Sequence, residues 1–234
     1  PGVRAGPLRP PGRRVTRVVA IDGPAGSGKS TVARAVAAAL GLEVLDTGAM
    51  YRAVTLAVLD AGADPADAEA CGVAARAAVI DLGATVLLDG RDVTTAIRGP
   101  EVTAAVSTVS AHPGVRAVLV EHQRAWAERH GGAVVEGRDI GAVVFPHATL
   151  KVFLTASDEE RAQRRARDEV AADRTGDVDA VRADLARRDA LDAGRSASPL
   201  VAAEDAVPVD STGRTIDDVV RTIVEEFRRR ETEA

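Results

Sequence analysis

Eight consecutive residues, Gly23-Pro24-Ala25-Gly26-Ser27-Gly28-Lys29-Ser30, combine three glycines, a lysine and a terminal hydroxyl in a spacing that suits a bound phosphate. Glycine lets the backbone curl until several N–H groups face one anion, and a helix opening at the lysine adds the positive end of its dipole. Lys29 and Lys151 are the two lysines of the chain, and arginine fills the other basic positions, so the ammonium at 29 stands out. Compact and flexible, it can bridge the outer phosphates of a nucleotide, while the Ser30 hydroxyl can ligate Mg²⁺. An ATP site is expected over this stretch and the adjoining Thr31, with Lys29 acting in catalysis.

Two more polar clusters close apolar runs. Leu42 to Leu45 leads into Asp46, Thr47 and Arg52, where Thr47 and Arg52 open a helix and can face a phosphate together. Ala133 to Val135 leads into Glu136-Gly137-Arg138-Asp139. Glu136 stands where a carboxylate can orient Mg²⁺ or its water, Arg138 can turn to a phosphate, and Asp139 can accept from a donor on a base. Eight arginines, at 161, 164, 165, 167, 182, 187, 188 and 195, fall on two helical stretches separated by the polar loop 173–177. Most should be solvated or paired with acids, and two or three are expected to reach a moving phosphoryl group. The histidines at 112, 122, 130 and 147 show no metal-ligand spacing.

These residues need strands that end beside them and helices that begin there. Apolar runs at Val15 to Ile21, Leu42 to Leu45, Ala133 to Val135, Leu150 to Thr155 and Val207 to Asp210 alternate with helical patterns, which implies a parallel sheet with ligands at its C-terminal edge. The helices are Ser30 to Leu40, stopped by Gly41, one from Thr47, Val115 to Arg129, one after the Ser157-to-Glu160 capping box, Val178 to Ala193, and a last one opening at Thr215. The last carries the stripe Ile216, Val219, Val220, Ile223, Val224 and Phe227, expected to face the core. Residues 60–112 break the alternation with a short helix near Asp64-Pro65, strands Ala84 to Leu88 and Arg91 to Thr94 around an Asp89-Gly90 turn, and a helix after Pro100.

Composition narrows the partners. The net charge of −5 and the 2% aromatic content argue against a nucleic-acid partner, leaving small phosphorylated ligands. No run of eighteen uncharged apolar residues predicts a membrane span. A single cysteine, Cys71, suits a reducing cytoplasm and carries no chemistry. Residues 1–14 are rich in Pro, Gly and Arg, lack the apolar stretch of a signal peptide and are expected to form a disordered tail.

With these clusters in place, the sequence resembles the bacterial cytidylate kinases, a branch of the P-loop nucleoside monophosphate kinases. The resemblance runs from about Val15 to Phe227 and is carried by the phosphate loop, Leu45-Asp46-Thr47-Gly48-Ala49-Met50-Tyr51-Arg52, Val106-Ser107, Val115-Arg116, Glu136 to Gly141, Val143 to Pro146 and Arg195 to Leu200. It implies an α/β, P-loop three-layer fold with a central parallel five-stranded sheet flanked by helices, plus a monophosphate-binding insertion and a small helical lid. The core would span 15–59, 113–156 and 196–230, the insertion 60–112 and the lid 157–195.

The resemblance further implies that Thr47, Arg52 and Arg138 hold the monophosphate, that Ser107, Arg116 and Asp139 read the cytosine edge, and that Arg188, Asp192 and Arg195 contact phosphate or ribose. Arg138 and Arg188 would join Lys29 in catalysis. Ser30, and Glu136 through a water, would hold Mg²⁺. The chain departs from the common family pattern with glutamate at Glu136 in place of aspartate, threonine at Thr47 in place of serine, and Ala142 in place of a hydroxyl residue. The expected reaction is phosphorylation of CMP or dCMP by ATP, in a monomer without nucleic-acid or membrane partners. Two alternatives stand beside it. One is a P-loop kinase for another small acceptor such as UMP, AMP or a hydroxyl acid. The other is a nucleotide-dependent switch, which would lack the Asn-Lys-x-Asp guanine signature because the chain contains no asparagine.

Overall fold

The computed structural model describes residues 17–171, 176–194 and 200–233 of the 234. The expected tail and Arg195 lie outside the described residues, as does most of the polar loop 173–177.

The chain opens on β1 (Val18–Asp22), every residue of which is buried. Such a run, apolar on both faces, is what a central parallel strand requires. It is followed by α1 (Lys29–Leu40), β2 (Glu43–Asp46) and α2 (Thr47–Asp60). Gly41 stops α1 in the left-handed region at φ 64°, and the Asp46 carboxylate caps α2 by accepting the Ala49 N–H. The chain then leaves the sheet through α3 (Ala68–Ala77), β3 (Ile80–Leu82), β4 (Val86–Leu88), β5 (Arg91–Asp92), a 3-10 turn at Ala96–Arg98 and α4 (Pro100–Val109). It returns as α5 (Pro113–His130), β6 (Ala133–Gly137), a wide turn at Ile140–Val144 and β7 (Leu150–Thr155). The last elements are α6 (Asp158–Ala171), α7 (Val178–Ala193), β8 (Val207–Asp210) and α8 (Ile216–Glu233).

Five strands form one sheet in the order β2-β6-β1-β7-β8, each pairing parallel, so all their C-terminal ends share an edge. Alternate residues of β1 divide the core between two faces. Val18 and Ala20 join α2, α3 and α5 on one side, with Leu45, Leu119 and Trp126. Val19 and Ile21 join α1 and α8 on the other, with Val36, Ile223 and Phe227. The result is the expected three-layer arrangement. Among the described residues no helix is long and apolar enough to cross a membrane.

The segment between α2 and α5 holds a second sheet, β3-β4-β5, antiparallel throughout. Its Asp89-Gly90 turn takes positive φ at both residues, 51° and 79°, as a two-residue hairpin demands. Several local readings change here. The sheet has a third strand, β3, whose short Ile-Asp-Leu pattern gives little periodicity, while β4 starts at Val86 rather than Ala84 and β5 ends at Asp92 rather than Thr94. The helix expected near Asp64-Pro65 starts at Ala68, because Asp64 caps a turn at Ala66 and Asp67 caps the helix itself. In α8, Ile216 is 50% exposed instead of core-facing, and it borders a cavity beside the phosphate loop.

Candidate functional site

The phosphate loop follows β1 directly and is held close to the sheet. A Cβ at Gly23 (φ 151°) would lie 2.0 Å from the Leu154 carbonyl oxygen, so only glycine lets the chain leave β1 at this angle. Gly26 and Gly28 also take positive φ, at 77° and 89°. Lys29 is buried, and its Nζ donates to the Pro24 carbonyl at 2.8 Å. Ser30 Oγ donates to Glu136 Oε2 at 2.9 Å.

Glu136 lies at the end of β6, in register with Asp46 on one side and Ile21 on the other. Its carbonyl accepts from Thr47 Oγ1 at 2.7 Å. At Gly137 a Cβ would sit 2.9 Å from that hydroxyl and 2.6 Å from the Ile140 side chain, so a larger residue there would have to displace Thr47 and Ile140. Beyond it, Arg138 donates from Nη1 to the Gly23 carbonyl at 3.1 Å and from Nε to Asp192 Oδ2 on α7 at 2.8 Å. Asp139 pairs with Arg116 of α5, both nearly fully buried, and the Arg116 guanidinium lies 5.5 Å from the centre of the Tyr51 ring. The turn after Asp139 is anchored by Asp22, whose two carboxylate oxygens accept the Ile140 and Gly141 N–H groups at 2.8 and 2.7 Å.

Three cavities run along this edge. The first, about 680 Å³, is lined by Gly26, Ser27, Gly28, Lys29, Ser30 and Thr31, and across from them by Arg164, Arg165 and Arg214. The second, about 260 Å³, is bordered by Lys29, Ser30, Glu136, Arg52, Arg138 and Arg188. The third, about 100 Å³, brings together Thr47, Arg52, Ser107 and Arg116 from the α2, α4 and α5 side. Arg138, Asp139, Arg188 and Asp192 complete it. Of the residues expected over the phosphate loop, Gly23 and Pro24 line none of the three cavities and contribute their carbonyls inward, to Arg138 and Lys29. Ala25 borders the second cavity. Of the eight arginines, Arg165 and Arg188 border the second cavity, Arg164 and Arg167 the first, and Arg182 and Arg187 are exposed and paired with Glu159 and Asp184.

A family profile described as Cytidylate kinase matches residues 19–229. The chain belongs to the cytidylate kinase family. It is 55% identical over 218 residues to the cytidylate kinase of Mycolicibacterium paratuberculosis, covering 91% of this chain and 96% of that one. It is 51% identical over 214 residues to the cytidylate kinase of Mycobacterium leprae, again covering 91% and 96%. Among solved structures, an uncharacterized protein from Eubacterium ventriosum superposes with a TM-score of 0.50 at 12% identity, over 92% of this chain and 99% of that one, a likeness of fold.

In this cytidylate kinase fold the burial of charge is concentrated where the loop meets β6. Burial pushes the Lys29 ammonium below the usual lysine range, and Arg138 adds to the shift, against Glu136 and Asp22. Burial pushes Glu136 up, with the Asp46 carboxylate adding to it. Asp22 rises to about 6 through burial, opposed by its two N–H donors. Arg52 falls to about 10, again chiefly through burial, then through Arg188 and Arg165. So many cations around one small space leave it short of negative charge, the condition an incoming phosphate relieves. The oxygen atoms of Ser30 and Glu136, with Asp46 nearby, are hard donors of the kind Mg²⁺ takes, so these residues fit that ion. Among the described residues no group of three His, Cys, Asp or Glu side chains forms a metal cluster.

Several members of this site escape a reading of the sequence. Thr103 Oγ1 and the Ile97 carbonyl accept from Arg52 Nη1 at 2.9 and 3.1 Å, so the segment between α2 and α5 aims the arginine. Arg165 faces both the first and second cavities, a role indistinguishable in sequence from that of its seven arginine companions. Asp22 reads as a strand terminus, and nothing in its spacing announces the two N–H groups it holds.

Proposed function

We propose that this chain transfers the γ-phosphoryl group of ATP to CMP or dCMP, giving ADP and CDP or dCDP. An oxygen of the acceptor phosphate attacks the γ-phosphorus as the bond to the ADP oxygen breaks, with no covalent enzyme intermediate. The first cavity takes ATP along the loop from Gly23 to Thr31. Lys29 turns from the Pro24 carbonyl to the outer phosphates, and Arg138 and Arg188 balance the charge spread over the transferred group. Ser30, and Glu136 through a water, would hold Mg²⁺, which when bound would supply charge neutralisation for the transferred phosphoryl group.

On the acceptor side, Thr47, Arg52 and Arg138 receive the phosphate and Arg188 and Asp192, with Arg195, the ribose-phosphate. Ser107 and Asp139 accept from the exocyclic amine of cytosine, and Arg116 donates to its ring acceptors. The observation that carries this reading is the buried Arg116–Asp139 pair, a donor and an acceptor side by side, in a cavity that shares Arg138 and Arg188 with the phosphate centre. Uracil presents an oxygen where cytosine presents the amine and leaves Asp139 facing a like partner. Residues 60–112 serve as the monophosphate-binding insertion and 157–195 as the lid. The enzyme works as a monomer in the reducing cytoplasm, on small nucleotides.

A coupled assay with ATP, Mg²⁺ and a panel of CMP, dCMP, UMP, AMP and shikimate tests the reaction. CMP or dCMP should release ADP fastest. A faster rate with UMP, AMP or shikimate would overturn the assignment of Ser107, Arg116 and Asp139.

A further inference from the structure

Ala25, inside the phosphate loop, has both backbone polar groups taken by the two helices that follow β7. Its N–H donates to Asp189 Oδ1 of α7 at 3.2 Å, and its carbonyl accepts from Arg161 Nη1 of α6 at 2.8 Å. The same Arg161 nitrogen meets Asp189 Oδ2 at 2.5 Å, and the other terminal nitrogen meets Asp158 at 2.7 Å. Arg161 is only 8% exposed, so this charge pair works largely out of water, where it is strong and its orientation fixed. Apolar contact seals the join, with Ala25, Ala162 and Leu185 forming a small cluster of their own. Arg161 and Asp189 line none of the three cavities.

One peptide unit connects this join to the donor site. The carbonyl of Pro24 and the N–H of Ala25 belong to the same planar amide. Its oxygen accepts from Lys29 Nζ at 2.8 Å and its N–H donates to Asp189. A phosphate that draws the ammonium away from Pro24 changes the polarisation and the freedom of the amide that Asp189 grips. On α7, Leu185 and Asp189 lie four residues apart and meet the loop. Arg188 and Asp192, the neighbouring row, border the acceptor cavity, where Asp192 accepts from Arg138.

We propose that Asp189, braced by Arg161, is a positioning residue that locks α7 to the Pro24–Ala25 amide and so makes acceptor affinity depend on donor occupancy. The proposal rests on the acceptor cavity assigned above, and it does not depend on which monophosphate fills it.

Calorimetric titration of the acceptor, with and without the β,γ-imido analogue of ATP, tests it. The acceptor used is whichever of CMP, dCMP, UMP and AMP the unaltered protein phosphorylates fastest. A panel won by UMP or AMP therefore overturns the cytosine reading and leaves this test intact. The unaltered protein should bind the acceptor about tenfold more tightly with the analogue than without it, the size of a typical coupling between sites. In Asp189→Ala the ratio should fall to roughly twofold or less, with affinity for the acceptor alone nearly retained, and Asp189→Asn, which keeps an oxygen for the Ala25 N–H, should lie between. Arg182→Ala, which removes the exposed α6–α7 pair with Glu159, should keep the full ratio. An unchanged ratio in Asp189→Ala, or equal weakening with and without the analogue, would overturn the proposal, because a purely structural residue acts on both titrations alike. Should Asp189→Ala fail to fold, Asp189→Asn and Arg161→Lys provide the same comparison.

Discussion

The cavities proposed for donor and acceptor both adjoin the one bordered by Lys29, Arg138 and Arg188, yet they draw on the chain in different ways. The side proposed for the donor takes Gly26 to Thr31 as one unbroken run, faced by Arg164, Arg165 and Arg214. The acceptor side collects Thr47, Arg52, Ser107, Arg116 and Asp139 from α2, α4, α5 and the end of β6, and almost all of it is side chain. A contiguous loop succeeds or fails as a unit, because each N–H depends on the curl of its neighbours. A gathered pocket loses function in portions, one partner at a time. Damage on the donor side should therefore be severe and general, and damage on the acceptor side graded and selective.

The largest effect expected from this contrast is at Lys29. Lys29→Ala should lower turnover by about a thousandfold at saturating ATP and CMP, measured as ADP release, and the loss should be equal for every acceptor. A variant losing activity with CMP alone would break the distinction.

Asp22 lies where the two sides join, and its effect is on stability. Its carboxyl is raised from 3.8 to about 6 in the folded protein, chiefly by burial. The protonated form is thus the one the fold favours. Its contribution is complete below 3.8, is lost as pH rises through about 6, and amounts to ~3 kcal/mol for a shift of this size. Urea unfolding of Asp22→Asn and the unaltered protein across that window should show the difference between them changing by this amount, with the unaltered protein relatively strongest at the acid end.

Arg138 touches both sides, through Gly23 and Asp192, and Arg138→Ala should cost about a hundredfold in kcat/KM for CMP, with both constants affected. At Asp139 the effect should be selective. Asp139→Asn leaves Arg116 without its charge partner and offers uracil an N–H donor, so the preference for CMP over UMP should drop by about tenfold in paired kcat/KM measurements. Thr103→Val is the mildest. It removes one of two acceptors holding Arg52 and should raise the KM for CMP about fivefold with kcat within about twofold.

The same contrast explains what the sequence discloses. The phosphate loop is legible because backbone curvature demands glycine at set positions, and Gly23 against Leu154 shows how strict that demand is. Two interior strands are the most legible because burial on both faces demands apolar runs, as in Val18 to Ile21 of β1 and Ala133 to Val135 of β6. The strand β3 escapes, since three residues on a half-exposed small sheet leave almost no pattern. Ile216 misleads because helical periodicity marks an apolar stripe without telling a core contact from the wall of an open cavity. On the acceptor side a family resemblance points to Asp139 and Arg116, but their mutual pairing and the supports are seen only in the structure. Thr103, Asp22 and Asp189 act through distant backbone or side-chain groups, 51 to 164 residues away in the chain, and no local spacing encodes such a partner.

The arginine-for-lysine bias has a further chemical outcome. Both lysines of the chain are 7% exposed, Lys29 under the phosphate loop and Lys151 on β7, tied to Asp205 at 2.7 Å. The rest of the protein's cationic surface is guanidinium, which acylating reagents leave untouched. Amine-directed chemistry thus has two side-chain targets, both largely shielded, and acylation at Lys29, told apart from that at Lys151 by peptide mapping, reports when the ammonium leaves the Pro24 carbonyl.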